Sequence, residues 1–133
     1  MKCFIDSNIL ISAGLFPNSV PDRALLKALS PPHKAVVCDY SLDEVYRVIN
    51  RKFPNRIRDF ESFLSRALFT IQLVQTPTEQ ILLEENVRDI DDRPILRAAI
   101  VSECDYLITG DKDLLEANIS VPNIITPAQF LEL

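Results

Sequence analysis

An excess of basic residues, histidines or cysteines at metal-binding spacing, and long apolar runs are all missing from this chain, and each absence removes a class of function. Nineteen acidic against fourteen basic side chains leave a net charge of −5, so the chain has no overall basic balance, which disfavours a simple DNA-binding protein. A nuclease stays open, because bound divalent cations cancel the charge of an acidic cluster and a local basic rim still holds phosphates. The single histidine, His33, lies in a Pro-Pro-His-Lys stretch and reads as a surface residue. The three cysteines, Cys3, Cys38 and Cys104, have no CxxC spacing, which points to reduced, buried thiols of a cytoplasmic protein rather than a disulfide framework. No apolar stretch approaches the roughly 20 residues that span a bilayer, and the amino end reaches Asp6 too early for a signal peptide. A cytoplasmic location with no membrane partner is expected.

What is present is a regular alternation. Cys3 to Ile5, Lys34 to Cys38, Thr70 to Val74, Tyr106 to Thr109 and Asn123 to Ile125 read as strands, the third at the sheet's edge. Between them, helical periodicity is expected over Asn8 to Leu15, Asp22 to Leu29, Ser41 onwards, Arg56 to Leu68, Pro77 to Val87, from Pro94 through Val101, and from Lys112 to Glu116, with a terminal turn at Pro127. Ser41 and Glu44 fit a Ser-x-x-Glu capping box. This order, with short links and no internal repeat, predicts one α/β domain over residues 1–133. It is a three-layer α/β/α sandwich on a mostly parallel sheet, with a helical arm formed by the pair after the second strand.

Four acids stand where a strand hands over to a helix or where a helix begins: Asp6, Glu44, Asp92 and Asp111. In a parallel α/β domain these points gather at one edge of the sheet. Taken singly, Glu44, Asp92 and Asp111 are explained as helix caps; Asp6 ends an apolar strand, where a carboxylate is rare unless paired or metal-bound. Carboxylates brought together repel, and a divalent cation lets them stay ionised. Oxygen-only ligands favour Mg²⁺ or Mn²⁺ over Zn²⁺, and the matching chemistry is metal-assisted phosphodiester hydrolysis.

In kind and order, Phe4-Ile5-Asp6-Ser7-Asn8, Ser41-Leu42-Asp43-Glu44-Val45, Asp91-Asp92-Arg93-Pro94 and Leu107-Ile108-Thr109-Gly110-Asp111-Lys112-Asp113 resemble the motifs of the PIN domain, and more closely those of the small prokaryotic toxins of VapBC-type toxin–antitoxin pairs. The resemblance implies a Mg²⁺- or Mn²⁺-dependent ribonuclease acting on RNA, commonly a homodimer and often silenced by a cognate antitoxin. It assigns the metal to Asp6, Glu44, Asp92 and Asp111, with Ser7, Asn8 and Thr109 in support. Asp92 is preferred to its neighbour Asp91 because its spacing to Ile95 and Ala99 better fits the family pattern, with Asp91 or Asp89 assisting and Asp113 as an outer ligand. Arg47, Arg51, Lys52, Arg93, Arg97 and Lys112 are candidates for phosphate contacts, and equally for solvated surface. Two other classes compete: a PIN-like interaction module without catalysis, and a phosphatase using Asp6 as nucleophile, which Asn8 disfavours by standing where a second Asp is wanted.

Overall fold

The computed structural model describes all 133 residues. Strands β1 (Lys2–Ile5), β2 (Lys34–Cys38), β3 (Gln72–Val74), β4 (Tyr106–Ile108) and β5 (Asn123–Ile125) form one sheet in the order β3-β2-β1-β4-β5. All four pairings are parallel. The central strands are continuous apolar runs because both faces of a parallel sheet are covered. Alternation along them sends Ile5, Val37 and Ile108 into one core, and Phe4, Val36 and Leu107 into the other.

The first core is covered by α1 (Ser7–Leu15), α2 (Val20–Leu29), α3 (Asp39–Lys52), α4 (Ile57–Leu68) and α7 (Pro127–Leu131). The second lies under α5 (Arg93–Val101) and α6 (Lys112–Leu115). The result is the expected three-layer α/β/α sandwich. The helical pair after β2 is α3 and α4, and α4 buries Phe60, Leu64 and Ala67 in the first core. Its approach to α1 is close enough to require a glycine: a Cβ on Gly14 would lie 2.5 Å from Phe60 Cε2 and 2.8 Å from Phe63 Cδ2. No helix is long and apolar enough to cross a membrane.

Two local expectations are corrected. Helix α3 starts at Asp39 directly after β2, with Cys38 as its N-cap, so Ser41 lies inside the first turn. Buried there, its Oγ sits 3.3 Å from Cys38 Sγ; no Ser41–Glu44 capping box forms. Asp39 instead reaches across the sheet edge and accepts from the Thr76 amide (2.7 Å) and hydroxyl (2.6 Å).

The expected helix from Pro77 is the second correction, since only a 3-10 turn, Leu82–Asn86, forms there. Glu84 accepts from the Ile81 amide at 2.7 Å, and the Arg97 guanidinium on α5 grips both its oxygens at 2.8 and 2.7 Å while donating to the Pro77 carbonyl at 2.7 Å. Satisfying a buried charge outweighs the helical periodicity of the segment.

Candidate active site

The strand order reverses between β1 and β4, and the two strands send their following helices to opposite faces, α1 to one and α6 to the other. A crevice therefore opens at their carboxyl ends, where ligands bind in open α/β sheets. Asp6 follows β1 and is the N-cap of α1; Thr109 and Asp111 follow β4, and Asp111 is the N-cap of α6. Glu44 comes from α3 and Asp92 from the N-cap position of α5. All four acids line one cleft of about 420 Å³, together with Ser7, Asn8 and Lys52.

Hydrogen bonds fix the carboxylates on the β1 and β4 side. Asp6, 4% exposed, accepts from the Ser7 amide on Oδ1 at 2.8 Å and from the Thr109 hydroxyl on Oδ2 at 2.6 Å. Thr109 Oγ1 in turn accepts the Asp111 amide at 3.0 Å, and Asp111 Oδ1 accepts the Asp113 amide at 2.8 Å. One buried threonine thus orients both strand-end acids. The Ser7 hydroxyl donates to Glu44 Oε1, joining β1's turn to α3.

Asp92 is different. It makes no side-chain cap bond to α5, and its Oδ2 is buried without any hydrogen-bond partner. The ordinary explanation, a helix-capping aspartate, fails for this residue, whereas Asp111 caps α6 and lines the cleft at once. Asn8 Oδ1 is likewise buried and unpartnered.

The electrostatics follow from burial without countercharge. Asp6 is pushed up to about 6, chiefly by desolvation, with Glu44 and Asp111 adding repulsion against the Thr109 and Ser7 hydrogen bonds. Asp92 is raised well above the carboxylate range by desolvation and by Asp111, with Asp89 and Asp6 adding to it. Carboxyl oxygens of Asp89, Asp92 and Asp113 also lie within 4.8 Å of one another. Asp113 alone among these has a cation close by, Arg88 at 2.5 Å. An all-oxygen donor set, with an orphaned buried oxygen on Asp92, fits a hard divalent cation. No cysteine or histidine lines the cleft.

Other predicted residues are placed elsewhere. Asp91 is exposed, outside the cleft lining, and offers its backbone carbonyl to the Tyr40 hydroxyl at 2.6 Å. Arg97 is withdrawn as a phosphate contact, since it is buried and paired with Glu84. Arg93 Nε donates to the Val87 carbonyl at 2.9 Å. Lys112 is exposed beside Asp111. Arg47 and Arg51 lie on α3 but outside the cleft. The apolar wall formed by Ile11, Leu15, Phe16, Val48 and Phe53 was not foreseen. Spacing carried a partial signal for it, since Glu44, Val48 and Lys52 recur every four residues along one helical face.

The family model for the PIN domain matches residues 2–113. A comparison with curated protein sequences returns no match. Among solved structures, a chain of VapBC2 from Rickettsia felis, bound to a DNA fragment from their promoter, superposes with a TM-score of 0.70 at 13% identity, covering 94% of this chain and 97% of that one. VapC20 of Mycobacterium tuberculosis, a Sarcin-Ricin loop cleaving toxin, gives 0.62 at 17% identity over 90% and 98%. PAE2754 from Pyrobaculum aerophilum gives 0.59 at 15% identity over 99% and 97%. At such identities the structural likeness speaks for the fold. The family match, however, runs from the first strand through the acidic turn after β4, and on that ground the chain belongs to the PIN domain family.

Proposed function

We propose that this chain is a Mg²⁺- or Mn²⁺-dependent endoribonuclease and the toxin of a VapBC-type pair. The observation that carries the reading is the meeting of Asp6, Glu44, Asp92 and Asp111, from four separate elements, in one cleft with Lys52 as the sole basic lining residue. These four carboxylates would hold the cation, with Asp113 as an outer contributor. Once bound, the cation supplies the positive charge that activates water and balances charge on the scissile phosphodiester.

The chain's own residues supply orientation and enclosure. Thr109 and the Ser7 amide each occupy one oxygen of Asp6, fixing the carboxylate's rotation and leaving the remaining lone pairs to face the cleft. Ser7 steadies Glu44 in the same way. Lys52 is placed to attract a phosphate, and Arg93 and Lys112 belong to the neighbouring surface. The apolar wall on one side of the cleft lowers the dielectric beside the acids and so strengthens charge interactions there. No side chain is required as a nucleophile.

The structural likeness to a Sarcin-Ricin loop cleaving toxin supports RNA as substrate, and the likeness to a VapBC complex supports a protein antitoxin as partner. A homodimer in the cytoplasm completes the reading. The test is cleavage of a labelled RNA with Mg²⁺ or Mn²⁺. Wild-type protein should cleave and Asp6→Asn should lose cleavage by a factor of about 10²–10³, on the order of a missing catalytic electrostatic group, with its circular dichroism spectrum unchanged. Full activity in chelator would refute the metal-dependent mechanism.

A further inference from the structure

Helix α3 presents two different faces. Glu44, Val48 and Lys52 line the acidic cleft. Asp43, Tyr46, Arg47, Asn50 and Arg51, together with Tyr40 from the first turn, line a separate open concavity of about 770 Å³. Helix α3 runs between the two sites, and at its start the Tyr40 hydroxyl donates at 2.6 Å to the carbonyl of Asp91, the residue before Asp92. Tyr46 is 38% exposed and stacks on no other ring.

The charges on this face need an explanation. Arg47 and Arg51 are exposed one helical turn apart, an arrangement in which like charges repel. The chain's two ion pairs lie elsewhere, and within the concavity only Asp43 offsets them. In a chain of net charge −5, a paired guanidinium set beside an available aromatic ring complements an anionic polymer that also carries flat bases. A second copy seated symmetrically on this patch would bring its own arginines against these, which disfavours that occupant.

We infer that this face of α3 is a shelf for single-stranded RNA, on which Tyr46 stacks against an unpaired base and Arg47 and Arg51 hold the flanking phosphates. The strand continues over Tyr40 into the acidic cleft, so the shelf sets which phosphodiester enters it. The assignment rests on the ribonuclease reading and adds to it the residues outside the cleft that position the strand. Stacking on an aromatic ring requires an exposed base face, which base-paired RNA does not offer.

The test is fluorescence anisotropy in chelator, so that nothing is cleaved, with an unstructured RNA oligomer and a matched abasic oligomer of equal charge. Tyr46→Ala should weaken RNA binding about tenfold, in the range of one lost stacked base, and Tyr46→Phe should retain it. The abasic oligomer should bind wild-type protein as weakly as RNA binds Tyr46→Ala. Arg47→Ala with Arg51→Ala should weaken both oligomers and flatten the salt dependence. With Mn²⁺ present, Tyr46→Ala should raise KM and leave kcat near its wild-type value.

Equal RNA affinity for wild type and Tyr46→Ala, absence of RNA binding, or a fall in molecular mass of the variants by light scattering would overturn the shelf, the last by marking an interface between copies. Binding that shows this pattern without any cleavage would uphold the shelf and remove the nuclease reading. Cleavage with an unaltered KM in Tyr46→Ala would do the reverse.

Discussion

Asp6 and Glu84 are almost equally sealed from solvent, 4% and 3% exposed, yet their carboxyls are driven in opposite directions. Burial lifts Asp6 to about 6, whereas hydrogen bonds from the Arg97 guanidinium hold Glu84 below its ordinary value. Around Glu84 the chain supplies the countercharge itself and builds a strut between the Pro77 segment and α5. In the cleft it gathers four acids against one lysine and leaves an Asp92 oxygen without a partner. A fold able to neutralise one buried acid with a bidentate arginine has the means to neutralise others. That it does not do so at the sheet's switch point is what the proposed cation site explains.

Breaking the strut should have the largest effect on stability. Arg97→Met leaves Glu84 buried and unpaired, and chemical denaturation should show a loss of about 3–5 kcal/mol. Adding Glu84→Leu to it should recover much of that loss, because the desolvation of both charges is then relieved together.

The opposite sign is expected in the cleft. Because the folded-state value of Asp6 lies above its ordinary 3.8, the metal-free fold favours the protonated acid. That stabilisation is complete below about pH 4 and is lost as pH rises through 6. Asp6→Asn should therefore match wild type near pH 4 and exceed it at pH 8 by at most roughly 3 kcal/mol in chelator, read from denaturant midpoints at the two pH values. Equal stability at both would show that the acid is not strained by its surroundings.

A smaller effect is expected at the residue that joins strand order to acid geometry. Thr109→Val removes the donor to Asp6 and the acceptor for the Asp111 amide within a fully buried site. About 1–2 kcal/mol of stability should be lost, with Asp6 rising further above 6 and cation affinity falling. NMR titration of the Asp6 carboxyl in metal-free protein checks the direction.

The parts legible in the sequence were those set by local pattern. Lys34 to Cys38 and Asn123 to Ile125 are strands with the bounds their β-branched runs imply, and Asp6 stood out because an acid ending an apolar strand has no local use for burial. The segment from Pro77 departs from its helical periodicity because its conformation is dictated by Arg97, thirteen residues beyond Glu84, a tertiary pairing that periodicity does not register. For the same reason Arg97 looked like a surface cation. Ser41 and Glu44 had capping spacing, but the strand passes into α3 without the intervening turn that such a box closes. Spacing to Ile95 and Ala99 already favoured Asp92 over Asp91, and the single 3-10 turn they share turns Asp92 to the cleft and Asp91 away from its lining.

The most direct measurement is calorimetric titration of metal-free protein with Mn²⁺ at pH 7, repeated in buffers of different ionisation enthalpy to count protons. Carboxyls raised as Asp6 and Asp92 are should give up protons as the cation enters. Wild-type protein should bind with net proton release, and Asp6→Asn should bind far more weakly. Cation uptake that releases no protons and is indifferent to Asp6→Asn, or no uptake at all, would contradict the assignment of the cleft as a cation site.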